Sequence, residues 1–409
     1  MSVEIIQGDC LAELAKLDDK SVHCCVTSPP YWNLRDYGTN GQMGLEATPE
    51  AYVDKLVSVF SGVYRVLRDD GTLWLNLGSS YAGGGRGCDT PKQKSNKGTD
   101  GMPASIVPSG WKQKDMIPIP WLVALALQKY GWYLRQDIIW AKSCSGEYKG
   151  GSVMPESVTD RCTKAHEYIF LMSKRPNYFF DNDAIMEESI WDLDGNGTGK
   201  RKDRQRDGLK SNPKQGKAGI RKSKKRGEYH GKTEIMQGRN AFKKFTSLRN
   251  RRSVWTITTK GYPEAHFATF PPDLIRPCVL AGTPADVCSE CGEPWGKVIE
   301  RNNPSKDANT GEDERYSGMK NMGGNHQTID GLHRNDGGVY SSAIVVDYLP
   351  TCKCNARKTS GTVLDPFAGS GTVGEVAEME GRNSILIELN PEYIDLIKKR
   401  TAQMGLFAS

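Results

Sequence analysis

Apolar residues return along this chain in two rhythms, every second position or every third to fourth, and each switch between them marks a boundary. Residues 3–7 alternate apolar and polar, residues 11–17 carry a short amphipathic pattern, and residues 22–26 form an apolar run that stops at Ser28-Pro29-Pro30. The reading is strand, helix, strand, then a loop. Thr48-Pro49 has the form of an N-cap followed by proline in the first turn, and Tyr52, Leu56, Val59, Phe60, Val63, Val66 and Leu67 fall on one helical face before Gly71. Residues 72–77 return as a strand. Residues 82–114, rich in Gly, Lys, Ser and Pro, predict a surface loop. Beyond it the pattern predicts a helix over 120–130 ended by Gly131, strands over 133–140 and 167–172, and a helix over 272–280. A strand over 362–364, a helix over 371–380, a strand over 384–389 and a helix from the Asn390-Pro391 cap to about Met404 complete the chain.

Strands alternating with helices of this length predict an α/β fold, with a mostly parallel sheet covered on both faces. Ligands of such sheets bind outside the carboxyl ends of the strands, so motifs that interrupt strand ends are where chemistry belongs. The 409 residues contain no apolar run long enough to span a bilayer, and Met1-Ser2-Val3-Glu4 lacks the basic-then-apolar pattern of a secretory signal. A soluble, cytoplasmic protein without a membrane partner is expected. Eleven cysteines, irregularly spaced and partly in apolar runs, suit a reducing compartment.

Charge changes the picture in one place. The net charge is +6, yet residues 200–252 hold twenty Lys/Arg against four Asp/Glu, a local +16 that leaves about −10 for the rest of the chain. That segment is polarised for a polyanion. Its candidates for polyanion contact are Arg221, Lys222, Lys224, Lys225 and Arg226, followed by Lys243, Lys244, Arg249, Arg251 and Arg252.

Two motifs carry candidate chemistry. Asp365-Pro366-Phe367-Ala368-Gly369-Ser370-Gly371-Thr372 follows an apolar strand, breaks into a glycine turn and opens a helix. Glycines let backbone approach a ligand, and the helix N-terminus offers free N–H donors. Glu388 ends the next strand, where a carboxylate suits two ribose hydroxyls. The third glycine of a pyrophosphate-binding turn is missing, which argues against a nicotinamide dinucleotide. Near the N-terminus, Ser28-Pro29-Pro30-Tyr31 forms a stiff strand-end loop that presents a hydroxyl, carbonyls and an aromatic face. An exocyclic amine is a poor nucleophile because its lone pair is delocalised into the ring. Acceptors aimed at its hydrogens favour a tetrahedral nitrogen, and an aromatic face stabilises a base taken out of the duplex.

Thr27-Ser28-Pro29-Pro30-Tyr31 followed much later by the Asp365 segment resembles the β class of DNA amino-methyltransferases, in which the catalytic segment precedes the cofactor segment. Residues 135–140, 164–168 and 266–271 are similar to further segments of that family. The resemblance implies a circularly permuted, Rossmann-like fold dependent on S-adenosylmethionine, with Asp9 receiving the cofactor's adenine amino group and Phe270 packing near the cofactor. It assigns Ser28 and the Pro29 carbonyl to the target amine and Tyr31 to the ring face. Within the family a serine at the first loop position suggests cytosine N4; adenine N6 is the alternative. Double-stranded DNA is the implied partner, and the resemblance is compatible with a homodimer, a cognate restriction endonuclease, and a bacterial or phage origin.

The same reading divides the chain into a catalytic half (1–182), a basic target-recognition region (183–255), a cofactor half (256–283 and 361–409) and a cysteine-paired insertion (284–360). Cys288, Cys291, Cys352 and Cys354 supply the four sulfur ligands of a closed, structural zinc site, with His326 and His333 as alternative ligands. A cytosine-C5 enzyme needs a Pro-Cys nucleophile; Pro277-Cys278 lies inside the predicted helix and reads as core. A non-catalytic zinc-containing nucleic-acid binder accounts for the basic run and the cysteines but leaves the Ser28 loop and Glu388 without a task.

Overall fold

A computed structural model describes residues 2–83, 107–145, 149–150, 158–188, 191–192, 200–201, 248–259, 270–302 and 342–405. The principal strands are β1 (Val3–Gln7), β2 (Val22–Thr27), β3 (Leu67–Leu77), β4 (Tyr133–Ser145), β5 (His166–Ser173), β6 (Val254–Thr258), β7 (Thr362–Asp365) and β8 (Asn383–Glu388). Between them lie helices α1 (Cys10–Leu14), α2 (Pro49–Val66), α3 (Ile119–Tyr130), α4 (Pro272–Gly282), α5 (Thr372–Met379) and α6 (Pro391–Gly405).

One sheet takes the order β1-β8-β7-β2-β3-β5-β4-β6. Among these eight strands the pairs are parallel except around β5, which runs antiparallel to both neighbours, and the short strand Lys149–Gly150 adds antiparallel to β4. Alternation along the strands divides the core. Cys25, Leu73 and Leu75 point to the side covered by α1, α2 and α3, while Cys24, Val26 and Trp74 point to the side covered by α4, α5 and α6. The α/β class and the mostly parallel sheet expected from the periodicity are observed.

Several boundaries move for local reasons. The first helix stops at Leu14, because the Lys16 and Leu17 amides reach back only three residues, to Glu13 and Leu14. The Thr48 hydroxyl caps α2 by accepting the Ala51 N–H at 3.1 Å, as its sequence predicts. Leu67, placed by periodicity on that helix, instead begins β3. Strand β6 had no counterpart in the sequence reading. It pairs with β4 at the opposite end of the sheet from β1 and β8, so residues 256–258, expected in the cofactor half, lie beside Tyr133–Ser145 and not beside the strands that end at Glu388 and Asp365. Within the insertion, Trp295–Asn302 and Ser342–Pro350 pair as antiparallel strands. No helix among the described residues is long and apolar enough to cross a membrane.

Candidate active site

Because β1, β8, β7 and β2 are adjacent and parallel, the residues that end them emerge along one edge: Asp9, Glu388, Asp365 and Ser28 in order. Neighbouring strands lie about 4.8 Å apart. The two motifs, more than 330 residues apart in the chain, are joined directly: the Thr27 hydroxyl donates to Asp365 Oδ1 at 2.6 Å.

Asp365 Oδ1 also accepts the Phe367 N–H at 3.0 Å, which turns the chain into the loop. Its Oδ2 is buried without a hydrogen-bond partner, and burial pushes the carboxyl up to about 7. Gly369 and Gly371 both take left-handed backbone, at φ 51° and 79°, and the space beside Gly369 is open where a side chain would project. Glu388 braces the turn, its Oε2 accepting the Gly369 N–H at 2.7 Å and its Oε1 the Asn390 N–H at 2.8 Å. Burial raises its carboxyl above the ordinary glutamate value, opposed by these N–H donors. Each carboxylate oxygen still has a second lone pair, so bracing leaves acceptor capacity for hydroxyls. An unpaired buried acid, an open glycine cradle and a half-exposed carboxylate fit a cofactor bearing positive charge and a ribose.

The other predicted cofactor residues divide. Asp9 Oδ1 caps α1, accepting the Leu11 and Ala12 N–H groups at 3.0 and 3.1 Å, on an exposed side chain. Pro366 is buried, Phe367 is half-buried against one core, and Phe270 packs against the other. Ser370 and Thr372 depart from the expectation: both are buried, with their hydroxyls held by Arg400, so the loop offers backbone and not these side chains to a ligand.

The Ser28 loop is fixed from several sides. The Tyr52 hydroxyl donates to the Pro30 carbonyl at 2.7 Å, and the Ser80 hydroxyl to the Trp32 carbonyl at 2.9 Å. Pro29, directly before Pro30, is buried. Tyr31 Oη lies 2.7 Å from Glu167 Oε2 and 3.1 Å from Asn76 Oδ1. One phenol hydrogen serves one acceptor at a time, and the shorter contact to a carboxylate wins. Asn76 Oδ1 then takes the Ser28 hydroxyl hydrogen at 3.3 Å, its amide orientation set by Nδ2 donating to the Tyr168 carbonyl at 3.1 Å. With its hydrogen placed on Asn76, Ser28 Oγ keeps lone pairs with which to accept. Glu167 is held in turn by an ion pair with Lys142, whose ammonium lies 4.9 Å from the Trp140 ring centre. Burial, reinforced by Glu167, keeps the Tyr31 phenol well above its ordinary value, a neutral donor.

Asn76 was missed by the sequence reading, and Glu167 lay in a recognised segment without a role. A polar residue interrupting the apolar end of a strand was the available signal for Asn76. Cys278 is buried, with its thiol pushed far up by burial and donating to the Leu274 carbonyl, consistent with a core residue.

The four cysteines converge. Val287–Cys288 pairs with Lys358–Thr359, and the four sulfurs lie within 4.8 Å of one another. A tetrahedral zinc with Zn–S of about 2.3 Å needs sulfurs about 3.8 Å apart. The Cys291 and Glu290 N–H groups pull the Cys288 thiol down to about 7, toward the ligating thiolate. Among the predicted DNA-binding residues, 221–226 and 243–244 lie outside the described residues. Arg249 and Arg252 both pair with Glu187, and Arg251 stacks on Trp255 at 4.7 Å.

A glycine turn, a strand-end glutamate and a stiff Ser-Pro-Pro-Tyr loop on one edge of an open sheet define an S-adenosylmethionine-dependent methyltransferase. Residues 22–288 and 353–399 match the DNA methylase family model for N6 and N4 methylation, and the chain belongs to that family. It is 34% identical over 396 residues to the type II methyltransferase M.Cfr9I of Citrobacter freundii, covering 97% of this chain and 86% of that one. To M.SmaI of Serratia marcescens it is 35% identical over 399 residues, covering 98% and 90%. Among solved structures it is similar to the PvuII cytosine-N4-specific DNA methyltransferase, with 14% identity, a TM-score of 0.48, and coverage of 98% of this chain and 86% of that one.

Proposed function

We propose that this enzyme transfers a methyl group to N4 of cytosine at a specific site in duplex DNA, by direct transfer to a flipped base. The observation that carries the proposal is the Ser28 contact: its hydroxyl lies 3.3 Å from Asn76 Oδ1, and with the hydrogen placed there its oxygen is left to accept an N–H from the target amine, the Pro29 carbonyl of the same loop taking the other. Two acceptors on the amine hydrogens localise the nitrogen lone pair for attack. S-adenosylmethionine, when bound, would supply an electrophilic methyl and leave as the neutral thioether, and the proton shed by the methylated nitrogen would pass through the acceptors at the amine, Ser28 Oγ and the Pro29 carbonyl, to water. Asp365 and the Gly369 turn would hold its cationic part, Glu388 its ribose and Asp9 its adenine amine. Tyr31 provides the stacking face, worth about 1–3 kcal/mol toward the cost of flipping.

The basic stretch between residues 200 and 252 contacts DNA phosphates, and the four cysteines hold a structural zinc. The order of motifs corresponds to a circular permutation of the methyltransferase fold. Relatives named as type II methyltransferases favour a cognate restriction endonuclease as biological partner. The protein expressed in a methylation-free host, with modified nucleosides identified by mass spectrometry and sites mapped by single-molecule sequencing, is expected to leave N4-methylcytosine at one motif. N6-methyladenine there would replace cytosine as the target. A variant with Ser28→Ala and Tyr31→Ala should retain DNA affinity but lose detectable transfer; unchanged transfer would remove this loop from catalysis.

A further inference from the structure

Arg400 on α6 is 6% exposed, unusual for a guanidinium unless every nitrogen is occupied. Here each is. Nε and Nη2 meet Glu375 Oε2 at 2.7 and 2.6 Å, and Nη1 meets Ser370 Oγ and Thr372 Oγ1, both at 2.9 Å, with the Ser370 carbonyl at 3.4 Å. The contacted groups are the loop's two hydroxyls and the helix that the loop opens. One turn earlier on α6, fully buried Ile397 packs against Gly371, where a β-carbon would come within 3.0 Å of it. Ile394, Ile397 and Arg400, spaced by three, thus form one face closed over the glycine turn from behind.

We infer that Arg400 is a positioning residue for cofactor binding: by holding the Ser370 and Thr372 hydroxyls it fixes the left-handed turn at Gly369–Gly371 in the shape that receives the cofactor. This rests on the methyltransferase reading above. Buried hydrogen bonds to a charged donor, once removed, leave two hydroxyls unsatisfied, and Glu388 braces the turn only at the Gly369 N–H, so its Ser370–Thr372 side depends on Arg400. The effect belongs to cofactor affinity, since the clamp's contacts go to the glycine turn and to the helix that the turn opens.

The test is calorimetric titration of S-adenosylmethionine into full-length wild type, Arg400→Lys, and the double variant Ser370→Ala with Thr372→Ala. Lysine keeps the charge near Glu375 but cannot span to both hydroxyls. Each variant is expected to weaken binding by about tenfold, the scale of one charge-assisted hydrogen bond. KM for the cofactor should rise in parallel, while kcat at saturating cofactor and KM for DNA stay within about twofold of wild type. Combining the changes should cost no more than the worse parent, because one clamp is being removed twice. Affinities within twofold of wild type in folded variants overturn the inference, as does a uniform fall in all kinetic parameters. Should Arg400→Lys fail to fold, the double variant, which leaves the Arg400–Glu375 pair intact, decides. Wild-type protein that does not bind S-adenosylmethionine would instead overturn the underlying methyltransferase reading.

Discussion

Asp365 binds its proton far more tightly in the fold than an exposed aspartate does. It is fully buried, with one oxygen bonded to Thr27 and Phe367 and the other unpartnered, and its folded value of about 7 stands above the ordinary 3.8. A raised value means that the folded state holds the proton more tightly than the unfolded one. Its contribution is therefore complete below pH 4 and is lost as pH rises through about 7, a difference of at most about 4 kcal/mol. Without cofactor, the midpoint of thermal unfolding should fall between pH 5 and pH 8, and Asp365→Asn should flatten that slope; an equally steep slope in the variant would place the titration elsewhere. Tyr31 gives a second residue-scale expectation. Tyr31→Phe removes the donor from Glu167 and leaves that acid with Lys142 alone, at a cost of about 1–3 kcal/mol in stability. Denaturant unfolding measures it, and kcat should fall while the cofactor KM stays unchanged. Sequence alone singled out Ser28 and Tyr31, whereas Asn76 left only the faint signal of a polar residue in an apolar strand end and Glu167 had a segment but no role. Their roles come from β3 and β5 lying side by side, a pairing that periodicity does not encode.

At the scale of elements, most of what positions the site was legible. The strands that end at Ser28, Asp365 and Glu388 follow from apolar runs cut by Pro, Gly or Asn, and the Thr48-Pro49 start of α2 follows from capping chemistry. The direction of β5 was not legible, because side-chain alternation has the same period in parallel and antiparallel strands. Nor was β6 read, since its Val254-Trp255-Thr256-Ile257-Thr258 alternation follows directly on the basic run. The seating of α4 belongs here as well. At Gly282 the helix end presses on the sheet so closely that a β-carbon would lie 2.6 Å from Cys24 Sγ and 2.7 Å from Thr72 Oγ1 and Trp74 Nε1. Gly282→Ala should therefore push α4 off β2 and β3 and destabilise the protein by about 1–3 kcal/mol. A lowered denaturation midpoint at unchanged m-value would report it; an unaltered midpoint would mean that the sheet yields at no cost.

For the whole molecule, the question is how an insertion of some sixty residues between the cysteine pairs can sit directly before the cofactor strand without loosening it. The structure bolts the insertion's base to the sheet at two points. Arg68 on β3 donates to the Cys291 carbonyl at 2.7 Å and pairs with Glu293 at 2.6 Å. His23 on β2 accepts the Thr362 N–H at Nδ1, 3.1 Å away, so its Nε2 carries the hydrogen that goes to the Gly292 carbonyl at 2.9 Å. Burial lowers this imidazole to about 4, which keeps it neutral and able to serve both partners. Thr362 is the first residue of β7, so the cysteine cluster, the strand before Ser28 and the strand that ends at Asp365 share one joint. A metal closing a loop of this length removes chain entropy worth about 4 kcal/mol on the scale of an equivalent cross-link. Metal analysis of the purified protein should therefore find one zinc per chain. A strong chelator should lower the unfolding midpoint by several degrees and weaken S-adenosylmethionine binding, through displacement of Thr362 and with it the strand that carries Asp365. Changing Cys352 and Cys354 to Ser should reproduce both effects and abolish the response to chelator. A protein purified without metal, whose melting and cofactor affinity ignore both treatments, would show that hydrogen bonds from Arg68 and His23 hold this joint alone.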